Sequence, residues 1–190
     1  MARKDLSEII VMDLEATCWR TKEEQGDQPQ EVIEIGVAIL PKGDLVPIRQ
    51  DSIIVKPRYS IVSEFCTELT SLTQADVDKG IDAADAYEKL WSKYHTGEKL
   101  VACWGTWDFD HIKREVNDKS LRNPIGILRL DVKSFYAFVK GLDKGTGMME
   151  ALDQLKIKHE GKHHRGNDDA YNIAKILGEL VKGARASICT

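Results

Sequence analysis

The 190-residue chain predicts an α/β domain built on a mixed sheet, and three observations carry that prediction. Three β-rich runs, 9–14, 32–40 and 52–55, lie close together near the start, and the last two are joined by turn chemistry. Short connections of this kind favour an antiparallel meander. From residue 82 to residue 181, helix-periodic segments then alternate with short strand-like ones, the pattern of an α/β fold. No internal repeat, low-complexity segment or composition break interrupts the chain. The expectation is a single domain over 1–190, with a core at about 8–182 and a tail at 183–190.

The run 9–14 is β-branched, apolar and broken only by Asp13, so it reads as a strand covered on both faces. Residues 20–30 are polar and read as a loop. Pro41-Lys42-Gly43-Asp44 supplies a turn between the second and third strands. After Pro57 the pattern changes. Ala83, Ala86, Tyr87, Leu90 and Tyr94 recur at helical spacing across 82–94. A strand is expected at 100–104, a helix at 108–116, a short strand at 128–130, and helices at 132–139 and 148–155. The helix 168–181 is the clearest, with Ala170, Ile173, Ala174, Ile176, Leu177, Leu180 and Val181 in one apolar stripe. Residues from 182 onward lose the periodicity and read as a frayed tail.

Hydrophobic content of 42% and charged content of 31% are ordinary for a globular protein. A net charge of −4 does not advertise nucleic-acid binding, whose usual footprint is a basic patch. The cysteines Cys18, Cys66, Cys103 and Cys189 show no CxxC spacing, which argues against a zinc ribbon or a thioredoxin motif. The opening residues do not resemble a secretory signal. No apolar stretch approaches the ~20 residues that span a bilayer. The expectation is a cytoplasmic protein with reduced thiols and no membrane partner.

Carboxylates then appear where the pattern predicts burial. Asp13 and Glu15 alternate with Leu14, so both point to one face of the strand and Leu14 points to the other. Two neighbouring carboxylates repel unless a cation lies between them, and a hard divalent ion with oxygen ligands does that. The other reading ends the strand in two solvated acids. Asp169 lines up with Ile173, Ile176 and Leu180 and heads the buried stripe, whereas Asp168 lines up with Asn172, Lys175 and Glu179 on the expected solvated face. Asp168 is read as a first-turn acid favoured by the helix dipole. Asp108 lines up with Ile112 and Val116 and faces inward; Asp110 faces out. The alternative for Asp108 is a helix N-cap. His164 lies in a loop just before Asp169 and is a candidate proton acceptor near neutral pH. His163 is read as a solvated neighbour, and His95, His111 and His159 as structural.

Asp-x-Glu on the first strand, Trp107-Asp108 opening a middle helix and His164-x4-Asp169 opening the last one resemble the DEDDh 3′–5′ exonucleases. Asp13-Leu14-Glu15-Ala16-Thr17-Cys18, Glu31-Val32-Ile33-Glu34-Ile35-Gly36, Phe65-Cys66-Thr67-Glu68-Leu69-Thr70 and Asp168-Asp169-Ala170-Tyr171-Asn172-Ile173-Ala174 look like its three-prime histone-mRNA exonuclease and KapD-like branch. The resemblance implies a ribonuclease-H-like fold and two divalent ions, Mg²⁺ or Mn²⁺. It implies that Asp13 bridges both ions, Glu15 and Asp169 complete one, Asp108 holds the second, and His164 is the general base. It implies a substrate-binding set of Leu14, Ala16, Phe65, Leu69, Trp107 and Arg165. Lys56, Arg58 and Lys162 are further candidates for phosphate contacts. Met12 stands where Phe is frequent, and Ser71 where Gly is.

The implied activity is a metal-dependent 3′–5′ exonuclease that releases nucleoside 5′-monophosphates from single-stranded RNA or an RNA 3′ overhang. A DNA exonuclease of the proofreading or repair type would share the fold and the site. A catalytically silent RNA-binding module is the third reading. The intact set of five argues against it, because inward carboxylates are costly to keep without a function.

Overall fold

Residues 5–188 are described by a computed structural model. Cys189 and the first four residues, on which part of the signal-peptide expectation rests, lie outside the described residues. The first three strands are β1 (Asp5–Ala16), β2 (Val32–Pro41) and β3 (Ile48–Ile54). They form the expected meander, β1 antiparallel to β2 and β2 antiparallel to β3. Two later strands, β4 (Lys99–Cys103) and β5 (Arg129–Asp131), add in parallel on the other side of β1. The strand order is β3-β2-β1-β4-β5, a mixed sheet with β1 at its centre.

Central placement explains the apolar run of β1. Ile10, Met12 and Leu14 pack on one side with Tyr87 and Leu90 of α4 (Ala83–Tyr94) and Ile112 and Val116 of α5 (Trp107–Asp118). Val11 packs on the other side, under α6 (Val132–Lys140), α7 (Met148–Gln154) and α8 (Gly166–Ile188). The stripe read from the sequence of the last helix is the face that meets the sheet: Ile173, Ile176 and Leu177 are fully buried there. Each such side chain contributes about 1.5–3 kcal/mol by leaving water. Leu14 therefore lies with Ile10 and Met12 on one face, which puts Asp13 and Glu15 on the α8 face.

Several boundaries differ from expectation. The 20–30 loop contains one turn of helix, α1 (Lys22–Gln25), capped by Thr21, whose side chain accepts from the Glu24 N–H. No element was expected between 58 and 81, yet α2 (Glu64–Thr70) and α3 (Gln74–Val77) form there. Ser63 caps the first of these, and Thr73 with Asp76 makes a capping box on the second. Both are too short for a hydrophobic period to register, so the caps were the available signal. Ser71 ends α2 in the left-handed region at φ 63°, which is the reason a glycine would also suit that position. β3 begins four residues before the expected 52. The expected tail is helical as well: α8 continues to Ile188, past the end of its buried stripe.

Candidate active site

β1 and β4 run parallel, so their carboxyl-terminal ends lie at the same edge of the sheet. Asp13 and Glu15 sit at that end of β1, where pairing with β2 shifts register between Glu15 and Ala16. Irregularities of this kind re-aim side chains at the ends of strands. α5 begins at Trp107, shortly after β4, and brings Asp108 to the same edge. Its carboxylate Oδ1 accepts the Leu14 N–H at 2.9 Å. Asp108 is therefore inside the helix, with Thr106 at the N-cap, and the N-cap alternative is set aside.

α8 delivers the fourth acid. Its start is pressed against the sheet by two glycines: a Cβ on Gly36 would lie 1.8 Å from the Gly166 carbonyl carbon. No side chain fits there, so β2 and the first turn of α8 touch through their backbones. Glu34 is fully buried beside this contact and accepts the Gly166 N–H at 3.1 Å. It also takes Arg165 in a two-point pair, at 3.0 Å from Nε and 3.2 Å from Nη2. Arg165, expected on the substrate, is thus committed to Glu34 and anchors the loop that carries His164. Glu34 was quoted in a motif but not read as a site residue. Its signal was a charged residue inside the continuous apolar run 32–37.

Asp13, Glu15, Asp108 and Asp169 converge, and three are nearly buried: Glu15 at 8%, Asp108 at 5% and Asp169 at 4% exposure. Asp13 is half-buried. Burial first, then the charges of Asp108, Glu15, Asp169 and Glu34, push the Asp13 carboxyl far above the usual carboxylate range. Burial, then Asp169 and Glu34, push Glu15 up to about 8. Burial pushes Asp108 up to about 7, opposed by its hydrogen bond from Leu14. Like charges gathered in a poorly solvated place disfavour ionisation unless a cation joins them. Glu15, His164 and Asp169 each present one ligand atom within 4.8 Å of the others, a spacing that suits a metal ion. The oxygen-rich donor set fits a hard divalent cation.

His164 sits at the rim of the cluster with φ 63°, and its N–H donates to Asp169 Oδ2 at 2.8 Å. Burial and the neighbouring His163 hold its imidazole below the usual histidine pKa. His163 is not the free solvated neighbour expected. Its Nδ1 lies 3.1 Å from Asp169 Oδ2, and its ring stacks on His164 at a centroid distance of 3.9 Å. That hydrogen bond to Asp169 raises the His163 pKa. His159 also faces Asp169, Nε2 to Oδ1 at 3.8 Å. Asp168 pairs with Arg49 and accepts the Lys162 N–H at 2.8 Å. Asn172, placed on the solvated face by periodicity, is fully buried and clamps Glu160 by main-chain contacts in both directions. The helical face beneath Asp168 is therefore covered by the 158–162 segment, which local periodicity does not reveal.

The remaining expected residues differ in exposure and contacts. Phe65 and Leu69 lie one turn apart on α2, both partly exposed, and Arg20 sits 5.0 Å over the Phe65 ring. Cys66 ties that helix to β1 through a 3.7 Å contact with the Ala16 carbonyl. Trp107 is 44% exposed and packs on the buried His111 ring at 4.6 Å. Leu14 and Ala16 are buried, whereas Lys56, Arg58 and Lys162 are exposed.

A family model described as Exonuclease (RNase T) matches residues 10–177. Among curated proteins, the chain is 26% identical to ERI1 exoribonuclease 2 of Xenopus laevis over 208 residues, covering 95% of this chain and 29% of that protein. It is 30% identical to 3′–5′ exoribonuclease 1 of Mus musculus over 191 residues, covering 92% of this chain and 53% of that protein. The chain thus spans less than a third of the first relative and about half of the second. Among solved structures, the nuclease domain of 3′hExo, a DEDDh family member bound to rAMP, matches with a TM-score of 0.82 at 23% identity, covering 96% of this chain and 95% of that chain. The fold is accordingly ribonuclease-H-like. The chain belongs to the Exonuclease (RNase T) family.

Proposed function

We propose that the protein is a metal-dependent 3′–5′ exoribonuclease that releases nucleoside 5′-monophosphates from single-stranded RNA or an RNA 3′ overhang. The carrying observation is the convergence of Asp13, Glu15, Asp108 and Asp169 at one sheet edge, where Arg165 is already committed to Glu34. The exoribonuclease names of the frog and mouse relatives, and the rAMP of the solved neighbour, support RNA over DNA.

The acids would hold two divalent ions, Mg²⁺ or Mn²⁺, with Asp13 shared, Glu15 and Asp169 on one ion and Asp108 on the second. Ions bound there supply an acidified water and charge relief on the phosphoryl and 3′-oxygens. His164 accepts the proton of the attacking water. Its lowered pKa keeps the imidazole neutral, and so able to act as a base, at neutral pH. The His164 N–H to Asp169 fixes where that imidazole stands relative to the acids. Phe65 and Leu69 offer an apolar face to the terminal base, and Trp107 offers a second beside Asp108; stacking of this kind is worth ~1–3 kcal/mol per base and tolerates any sequence. Leu14 and Ala16 have little beyond main-chain atoms to offer the nucleotide. Arg165 acts through the loop it anchors.

We read the whole chain as a single exonuclease domain. No helix among the described residues is long and apolar enough to cross a membrane. The free thiols of Cys18, Cys66 and Cys103 suit a cytoplasmic setting.

The test is incubation with matched 5′-labelled RNA and DNA oligonucleotides in Mg²⁺, in Mn²⁺ and in EDTA, with Asp13→Ala as control. A metal-dependent ladder shortening from the 3′ end, stronger on RNA and absent in the variant, is expected. A stronger DNA ladder would move the protein to the repair-type reading. An active Asp13→Ala chain would remove the site assignment.

A further inference from the structure

Beside the acid cluster, three groups meet that the proposed hydrolysis does not use together: His159, His163 and Asp169. One ligand atom from each lies within 4.8 Å of the other two. The separations from Asp169 are 3.8 Å for His159 Nε2 to Oδ1, and 3.3 Å and 3.1 Å for His163 Nδ1 to Oδ1 and Oδ2. Around a tetrahedral zinc ion with bonds of ~2.0–2.1 Å, adjacent ligand atoms lie roughly 3.3–3.4 Å apart. The observed spacings bracket that edge length.

A second observation is independent of the spacing. His159 Nε2 is buried and has no hydrogen-bond partner. Its 3.8 Å approach to Asp169 is too long for a hydrogen bond. A buried ring nitrogen left unpaired is destabilising, so an imidazole held in this way calls for an occupant. It is also held deliberately. Asn172 on α8 accepts the Glu160 N–H at 3.1 Å and donates to the Glu160 carbonyl at 2.8 Å, which pins the segment next to His159.

We propose that His159, His163 and Asp169 form a further metal site, of zinc class, that shares Asp169 with the acid cluster. Two imidazoles and one carboxylate are a borderline donor set. They favour Zn²⁺ over Mg²⁺ and Mn²⁺, which prefer all-oxygen surroundings. Zinc held there would compete with the acid cluster for the Asp169 carboxylate and immobilise the His163 ring on which His164 stacks. Occupation therefore withdraws one acid and restrains the base, and zinc inhibits hydrolysis. This inhibitory part rests on the nuclease reading; the metal site itself does not.

The deciding experiment titrates the metal-free full chain with ZnCl₂ in excess Mg²⁺ by calorimetry, without nucleic acid, and repeats the titration with CoCl₂ to follow the visible spectrum of the bound ion. The parent chain binds one zinc ion. His159→Ala and His163→Ala each weaken binding by at least about tenfold, since even outer partners of metal ligands are worth 10–100-fold. His163 is partly exposed, so its variant tests the site even where His159→Ala does not fold. No zinc binding by the parent, or parental affinity in a folded variant, overturns the site. In the RNA assay, zinc should inhibit the parent at lower concentration than it inhibits His163→Ala; equal sensitivity overturns the inhibitory part. An inactive parent that still binds zinc through these histidines would instead count against the nuclease reading alone.

Discussion

Leu14 donates its main-chain N–H to Asp108 Oδ1 at 2.9 Å, across 94 residues of sequence. The side chain of Leu14 turns away from the acids while its backbone holds one of them, so the central strand serves the core and the site at the same residue. This makes charge and hydrogen bonding separable at Asp108. Asp108→Asn keeps an acceptor for Leu14 and should fold with near-parental stability while losing hydrolysis. Asp108→Ala leaves the Leu14 N–H unpaired and should cost a further ~1–3 kcal/mol. Thermal melts beside the oligonucleotide assay distinguish the two losses, and equal melts for both variants would remove the structural role.

His164 is placed by its own N–H, which a substitution of the side chain leaves in position. His164→Ala should therefore fold and still bind Mg²⁺, yet turn over ~10²–10⁴-fold more slowly, the usual worth of a positioned general base. Single-turnover kinetics at saturating Mg²⁺ provide the check. A change confined to metal affinity would assign His164 to ligation instead.

The raised carboxyls impose a pH dependence on stability. Glu15, at about 8, and Asp108, at about 7, hold protons in the folded metal-free chain that the unfolded chain releases near pH 4. Their contribution is fully present below about pH 4 and is lost as pH rises towards 8. In EDTA, this pair should make the melting temperature fall across that window. Saturating Mg²⁺ binds the ionised form and should stabilise the chain more at pH 8 than at pH 5. A stabilisation by Mg²⁺ that is independent of pH would show that these carboxyls do not hold it.

Asp168 reads locally as a dispensable first-turn acid, but its carboxylate pairs with Arg49 and accepts the Lys162 N–H. Asp168→Ala should then lower stability by about 1 kcal/mol and loosen the 161–164 segment, given the worth of a typical hydrogen bond. The expected signature is faster amide exchange at Lys162 and a lower melting temperature, with metal affinity retained. A silent substitution would return Asp168 to the solvated face.

Much of the fold and the acid set was legible locally, because alternation along a strand and the 3.6-residue helical period follow from backbone geometry alone. Those rules put Asp13 and Glu15 on one face, turned Asp108 and Asp169 inward, and predicted the mixed sheet around a doubly covered β1. They failed where sequence neighbours do not decide the environment. The caps of α2 and α3 were present at Ser63 and Thr73, but helices of seven and four residues carry no readable period.

Asn172 and Asp168 looked solvated until the 158–162 segment covered them, and His159 and His163 acquired a shared partner only when that segment folded back over α8. Arg165 looked free for phosphate until Glu34 arrived from β2, more than a hundred residues earlier. The sequence by itself determined the main apolar stripes and the inward turn of Asp13, Glu15, Asp108 and Asp169, because both are properties of local geometry. Only the tertiary structure decided which charges meet, because pairing depends on contacts between segments whose separation in sequence carries no information about their separation in space.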